Sequence, residues 1–299
     1  MPGGWGQLYF LVVFGIVVLL TSAGCAVSDQ REDGAPTIDA AERVAQVLSG
    51  SYAGTAVRAD GDAASGRLTR LEARVERVSM EGVSVRLEQR TDGREARNFR
   101  LILRPTALAT RLEGSFSPLG PQDKPVGTCP LEVSVRSGGF VARTSAATCR
   151  FGRDGAAAAL VKEIAHDGER LVIGDRVLDP GTEEARTPDR VLELERVRRF
   201  VGWAGVRDTG ESWRVAESVE LQSDGVELAP EDAGGMTLAV VLELAPHRVR
   251  EDQSPVLRLR VFDRESGELL GQSWADSAAT RIGVALPDVQ VGLRLSDSR

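Results

Sequence analysis

From Gly54 onward the chain alternates apolar and polar residues with a period of two. Val83, Val85 and Leu87 interleave with Ser84, Arg86 and Glu88; Phe99, Leu101 and Leu103 interleave with Arg100 and Arg104. Val133 and Val135 flank Ser134, and Val191, Leu192, Leu194 and Val197 close this first half. Turn residues recur between the runs, at Asp92-Gly93, Ser137-Gly138-Gly139, Asp154-Gly155, Asp167-Gly168 and Pro180-Gly181. Successive side chains on a strand face opposite ways, so the pattern predicts many short strands in an antiparallel barrel or sandwich. Two segments depart from it. Thr37 or Asp39 starts a stripe of Ala40, Val44, Val47 and Leu48 that stops at Gly50, which predicts a short leading helix. Leu68 to Val78 fits both periods: Leu71, Val75 and Val78 suit a helix, while Ala73, Val75 and Arg77 suit one strand face.

A second strand-rich block begins near Phe200. It contains Trp213 to Leu221, Met236 to Leu244, Pro255 to Phe262, Glu268 to Trp274, Arg281 to Leu286 and Val289 to Leu295. Asp263-Arg264-Glu265-Ser266-Gly267 reads as the hairpin turn ahead of Glu268. Six or seven strands over roughly a hundred residues suffice for a small sandwich. Trp203, Trp213 and Trp274 fall at period-two positions, which predicts packing in its core or at its rim.

The opposite pattern marks the N-terminus. Met1 to Ser28 carries no charged side chain, and the apolar run Leu8 to Leu20 ends in Thr21-Ser22-Ala23-Gly24-Cys25. A short apolar core, small residues and then cysteine resemble a bacterial lipobox, with cleavage before Cys25 and acylation of its thiol. As a helix the run reaches roughly 20 Å, short of a hydrocarbon core of about 30 Å. Extended through Val27 it becomes an uncleaved anchor, the alternative reading. Either one places the rest of the chain outside the cytoplasm. The acidic cluster Asp29, Glu32 and Asp33 begins the tether, and Ala26 after the cysteine favours the periplasmic side of the outer membrane.

Cysteine counting follows from that assignment. Of three cysteines, acylated Cys25 leaves Cys129 and Cys149 as a pair in an oxidising compartment. A hairpin between Leu131–Arg136 and Phe140–Thr144 would bring them together as a disulfide; two free thiols are the alternative. The only histidines, His166 and His247, belong to no ligand-spaced cluster, so no metal and no cofactor is expected. A net charge of -7 disfavours nucleic acid. No phosphate loop, nucleophile elbow or paired catalytic carboxylates appear, and Ser115, Ser145 and Ser273 lack an activating context.

Several features together resemble the CpcT/CpeT phycobiliprotein chromophore-lyase family and its wider bacterial relatives, over residues 38–200. They are Leu48-Ser49-Gly50-Ser51-Tyr52 after the helix, Glu88-Gln89 at a strand end, Cys129-Pro130-Leu131-Glu132 followed by Cys149, and Asp175-Arg176-Val177-Leu178-Asp179-Pro180-Gly181. The resemblance implies a calycin-like antiparallel β-barrel. It also implies a tetrapyrrole site to which Arg97, Arg100, Asp175, Arg176 and Glu88 would contribute. The family's stacking aromatics are reduced to Phe99, with Leu87 and Val177 at two of its motif positions. A binding role therefore ranks ahead of lyase activity.

The expected organisation is a signal peptide (1–24), an acidic tether (25–37), a lyase-like barrel (38–200) and a C-terminal sandwich (201–299). The expected function is that of a membrane-anchored cell-envelope lipoprotein without catalytic residues. It would be held to the bilayer through Cys25 and bind a partner protein or a small apolar ligand through the barrel. Lyase-like bilin binding or attachment, and a structural role in an envelope assembly, are the alternatives.

Overall fold

The computed structural model describes residues 39–58, 67–92, 94–151, 158–187, 189–207, 212–249 and 253–296. Cys25, with the expected signal peptide (1–24) and tether (25–37), lies outside them. Among the described residues no helix is long and apolar enough to cross a membrane.

The leading helix is α1 (Asp39–Leu48), which buries Ala40, Ala41, Val44, Ala45 and Leu48. Asp39 and Glu42 occupy its first turn, where carboxylates meet the positive end of the helix dipole. Gly50 follows at φ +135°, a conformation that side chains rarely adopt, and lets the chain turn at once into a strand.

Eleven strands come next: β1 (Gly50–Arg58), β2 (Leu68–Ser79), β3 (Gly82–Thr91), β4 (Arg97–Pro105), β5 (Arg111–Leu119), β6 (Cys129–Arg136), β7 (Gly139–Arg143), β8 (Arg150–Phe151), β9 (Ala158–His166), β10 (Arg170–Leu178) and β11 (Arg190–Arg196). All pairings are antiparallel. β1 pairs with β2 and with β11, and β9 pairs with β7 and with β10, so ten strands close into a barrel. The two-residue β8 continues the β7 side of β9. Closure leaves the ring without an exposed edge. The ambiguous Leu68 to Val78 is a strand: Thr69, Leu71 and Ala73 face inward and are buried, and a bulge between Val75 and Arg77 precedes its exposed tail.

Period two fixes the barrel core. Leu71, Val85, Leu87, Leu101, Leu131, Ile164, Ile173 and Leu192 belong to one buried cluster with the stripe of α1. The helix packs against β2, β3, β4 and β7 and covers one end of the ring. β6 and β7 form the expected hairpin, and Cys129 and Cys149 are joined as a disulfide with their Cα atoms 4.7 Å apart.

Only Val197 and Arg198 lie between β11 and β12 (Arg199–Arg207), so the barrel runs straight into the second block. β13 (Trp213–Gln222), β14 (Val240–His247), β15 (Val256–Asp263), β16 (Leu269–Asp276), β17 (Arg281–Ala285) and β18 (Val289–Leu295) complete it. They form a four-stranded sheet ordered β13-β12-β18-β17 and a three-stranded sheet ordered β14-β15-β16. Phe200, Leu221, Leu242, Leu259 and Leu293 lie in the core these sheets share. Strand pairing starts at Val240 rather than Met236. The Asp232 carboxylate accepts from the Gly234 and Met236 N–H groups and holds the preceding residues in a turn. Trp203, Trp213 and Trp274 lie on outer faces, 37–42% exposed, and leave the core to aliphatic residues and Phe200.

Residues Ala35–Arg299 form one compact unit. β14 packs on the barrel beside β1, whose outward Ala53 is fully buried. Arg70 donates to the carbonyls of Asp224 (2.7 Å) and Gly225 (3.2 Å), and Arg248 pairs with Glu193. Gly225, at φ +72°, is pressed against Leu68, where a Cβ would overlap that side chain.

Candidate anion site at the charged end of the barrel

The inner face changes character at the end opposite α1. Lys162 follows the phase of Ile164 on β9, Asp175 that of Ile173 on β10, and Arg190 that of Leu192 on β11, so all three enter the ring. The register sets Asp175 beside both Lys162 and Arg190. Phe99 and Phe116 reach the same level from β4 and β5, stacked with centroids 5.4 Å apart.

Lys162 is 3% exposed. Its Nζ donates to Asp175 Oδ1 at 2.7 Å and lies 4.9 Å and 5.3 Å from the centroids of Phe99 and Phe116. An ammonium removed from water is tolerated only with such compensation: an ion pair on one side and the negative faces of two rings on the other. Asp175 hydrogen-bonds Lys162 and attracts Arg190 from the neighbouring strand. Burial holds the Arg190 guanidinium below its ordinary pKa; Arg94 and Arg97 push the same way, and Asp175 opposes them. The side chains of Arg94, Arg97 and Arg190 make no hydrogen bond or ion pair with another described residue. Lys162 and Arg190 thus share one carboxylate beside an aromatic pair, with exposed Arg94 and Arg97 acting on Arg190 from the solvent side. Beside them Gln89 is buried, and Thr69 and Thr91 hydrogen-bond at 2.9 Å. This arrangement can accept an anionic group and exclude a cationic one.

The residues expected from sequence divide between the two faces. Asp175 and Arg97 lie on the inner face. Arg100 points out and binds Glu76 at 3.0 Å, Arg176 points out to Asp189 at 2.9 Å, and Glu88 points out to Arg90. Arg97, Arg100, Asp175 and Arg176 therefore do not converge. Asp175 and Arg176 are adjacent on one strand, which sends them to opposite sides of the wall. Lys162 and Arg190 were not anticipated. Their signal was available: each holds an inward position two residues from an aliphatic neighbour, and Lys162 is one of only two lysines in the chain.

The α1 end is built differently. The Tyr52 hydroxyl donates to the Leu48 carbonyl (2.9 Å), and Arg196 donates to that hydroxyl (2.9 Å) and to the carbonyls of Val47 and Ser49. His166 Nδ1 accepts from the Gly168 N–H at 2.8 Å, which leaves Nε2 to donate to Tyr52 at 3.1 Å. Burial pushes the Tyr52 pKa up to about 12, against the pull of Arg196. These groups cap the last carbonyls of α1 and satisfy one another. Among the described residues no group of His, Cys, Asp or Glu is placed to hold a metal ion.

No protein-family model matches the chain, and no curated protein matches it at a significant level.

Proposed function

We propose that this is an exported cell-envelope lipoprotein, anchored through acylated Cys25, whose barrel binds an anionic ligand with an apolar body and performs no chemistry on it. The observation that carries the reading is buried Lys162 over Phe99 and Phe116, with Arg190 sharing its partner Asp175 and Arg97 acting on Arg190 from β4. Arg97 is exposed and Arg190 half-buried, so both can reach a bound carboxylate, sulfonate or phosphate at the mouth while Lys162 keeps its pairing with Asp175. Asp175, committed to Lys162, leaves no free base to activate a nucleophile. The barrel axis is filled by aliphatic side chains, so the ligand would sit at the charged end with its apolar part against the phenylalanines. We read the two C-terminal sheets as a small β-sandwich that supports the barrel wall.

The test is fluorescence titration with anilinonaphthalenesulfonate, an anionic aromatic probe. Binding that weakens with salt and falls at least tenfold in Arg97→Ala/Arg190→Ala supports the assignment. Equal binding by wild type and double variant removes it. The inward placement of Asp175 and Arg97 also favours a second reading, a linear tetrapyrrole held by its propionates. That reading requires a shifted bilin absorption band on mixing. Intact-mass analysis of the membrane-extracted protein reports whether Cys25 is the acylated first residue.

A further inference from the structure

The outer face of the four-stranded sheet carries two indoles beside two arginines. Trp203 on β12 leans over the neighbouring strand: a Cβ on Gly292 of β18 would meet its Nε1 at 2.8 Å and its Cε2 at 3.1 Å. Trp213 on β13 leans in the same way over Gly205 of β12, where a Cβ would meet its Cε3 at 3.2 Å. Gly283 on β17 stands opposite Gly292. Glycine weakens a strand interior and is kept where another group must come close to the backbone. Here the missing side chains let the indoles lie along the sheet, and Trp203 and Trp213 remain 42% and 37% exposed.

The charges on this face fall into two sets. Arg199 pairs with Glu220 at 3.3 Å, and Arg207 pairs with Asp288 at 3.7 Å while lying 5.4 Å from the Trp213 centroid. Two positions along from Gly292 and Gly283, Arg294 and Arg281 stand directly opposite each other. Both are exposed, and neither makes a hydrogen bond or ion pair with another described residue. Like charges set opposite each other repel, and a carboxylate between two guanidiniums replaces that repulsion with charge-assisted hydrogen bonds. Gln290, two positions the other way on β18, and Glu217, at the β13 bulge across Trp203 from the arginines, offer hydrogen-bonding groups to hydroxyls.

We infer that this face is a second binding site, for a polysaccharide bearing carboxylates, such as a uronic-acid chain. A sugar ring has an apolar C–H face to cover Trp203 and a rim of hydroxyls for Gln290 and Glu217. Its carboxylate meets Arg281 and Arg294. The face is an open strip rather than a concave pocket, so it fits an extended chain of rings better than a single small molecule. The site is separate from the charged end of the barrel.

Isothermal titration with trigalacturonate and with its fully methyl-esterified form, which keeps the rings and removes the charge, tests the assignment. The acid should bind at least tenfold more tightly than the ester. Arg281→Ala/Arg294→Ala should abolish that preference, and Trp203→Ala should weaken both ligands at least tenfold. Trp274→Ala on the other sheet and Arg97→Ala/Arg190→Ala in the barrel should change neither. Absence of binding by the acid overturns the inference, as does equal binding of acid and ester, or a folded Trp203→Ala variant that binds like wild type. Should Trp203→Ala fail to fold by circular dichroism, the acid–ester comparison and the Arg281/Arg294 variant decide. Adsorption to phosphatidylglycerol vesicles without binding of the oligosaccharide would assign the face to a membrane surface and overturn it as well.

Discussion

The two ends of the barrel hold polar groups of similar kind and treat them in opposite ways. At the α1 end, Tyr52, His166 and Arg196 each find partners, and their donors close the carbonyls of the helix terminus. At the other end Lys162 has a partner, whereas Arg94, Arg97 and Arg190 crowd one another. A satisfied network stabilises its own neighbourhood, and an unsatisfied one is stabilised by what binds to it. The first end is therefore assigned to holding the fold and the second to recognition.

The sharpest way to break this contrast is at the pair that is both buried and charged. Asp175→Ala strands Lys162 in a site 3% exposed and should cost about 3–5 kcal/mol. Adding Lys162→Met, which removes both charges, should restore most of that loss in urea unfolding. If the single variant is as stable as wild type, Lys162 has another counter-charge. At the satisfied end Tyr52→Phe removes one hydroxyl that four groups share, for an expected loss of about 1–3 kcal/mol. Equal stability of that variant and wild type would show the network to be incidental.

The smallest effect is the dependence on pH. Burial holds His166 below its ordinary pKa of 6.5, Arg196 pushes the same way, and Asp167 opposes them. The folded state prefers the neutral ring, so this contribution is complete above pH 6.5 and is lost as pH falls through the folded value. Melting temperatures taken from pH 7.5 downward should decline through this range, and less steeply in His166→Gln.

Much of the wall was legible because β3 and β15 alternate cleanly, from Val83 to Leu87 and Leu257 to Val261, and β4 does so except at Ile102. β9 was not legible. Its inward row reads Leu160, Lys162, Ile164, His166, and two polar members out of four erase the alternation that marks a strand. The same two residues belong to the two polar ends, so the strand that disguised itself carries the most informative side chains. The site was half legible for a related reason. Asp175 and Arg97 lie on the inner wall, while Arg100 and Arg176, each an odd number of positions away, face out. A motif written as consecutive letters conceals that inversion.

The placement of the tryptophans has an optical consequence. Among the described residues all three belong to the C-terminal sheets, and the barrel wall has Tyr52 as its single phenol. In a chain cleaved before Cys25, and so without Trp5, intrinsic emission excited at the indole band will thus report the second block and stay nearly silent about the first. A chain whose barrel had come apart while those sheets persisted would still look native by that signal.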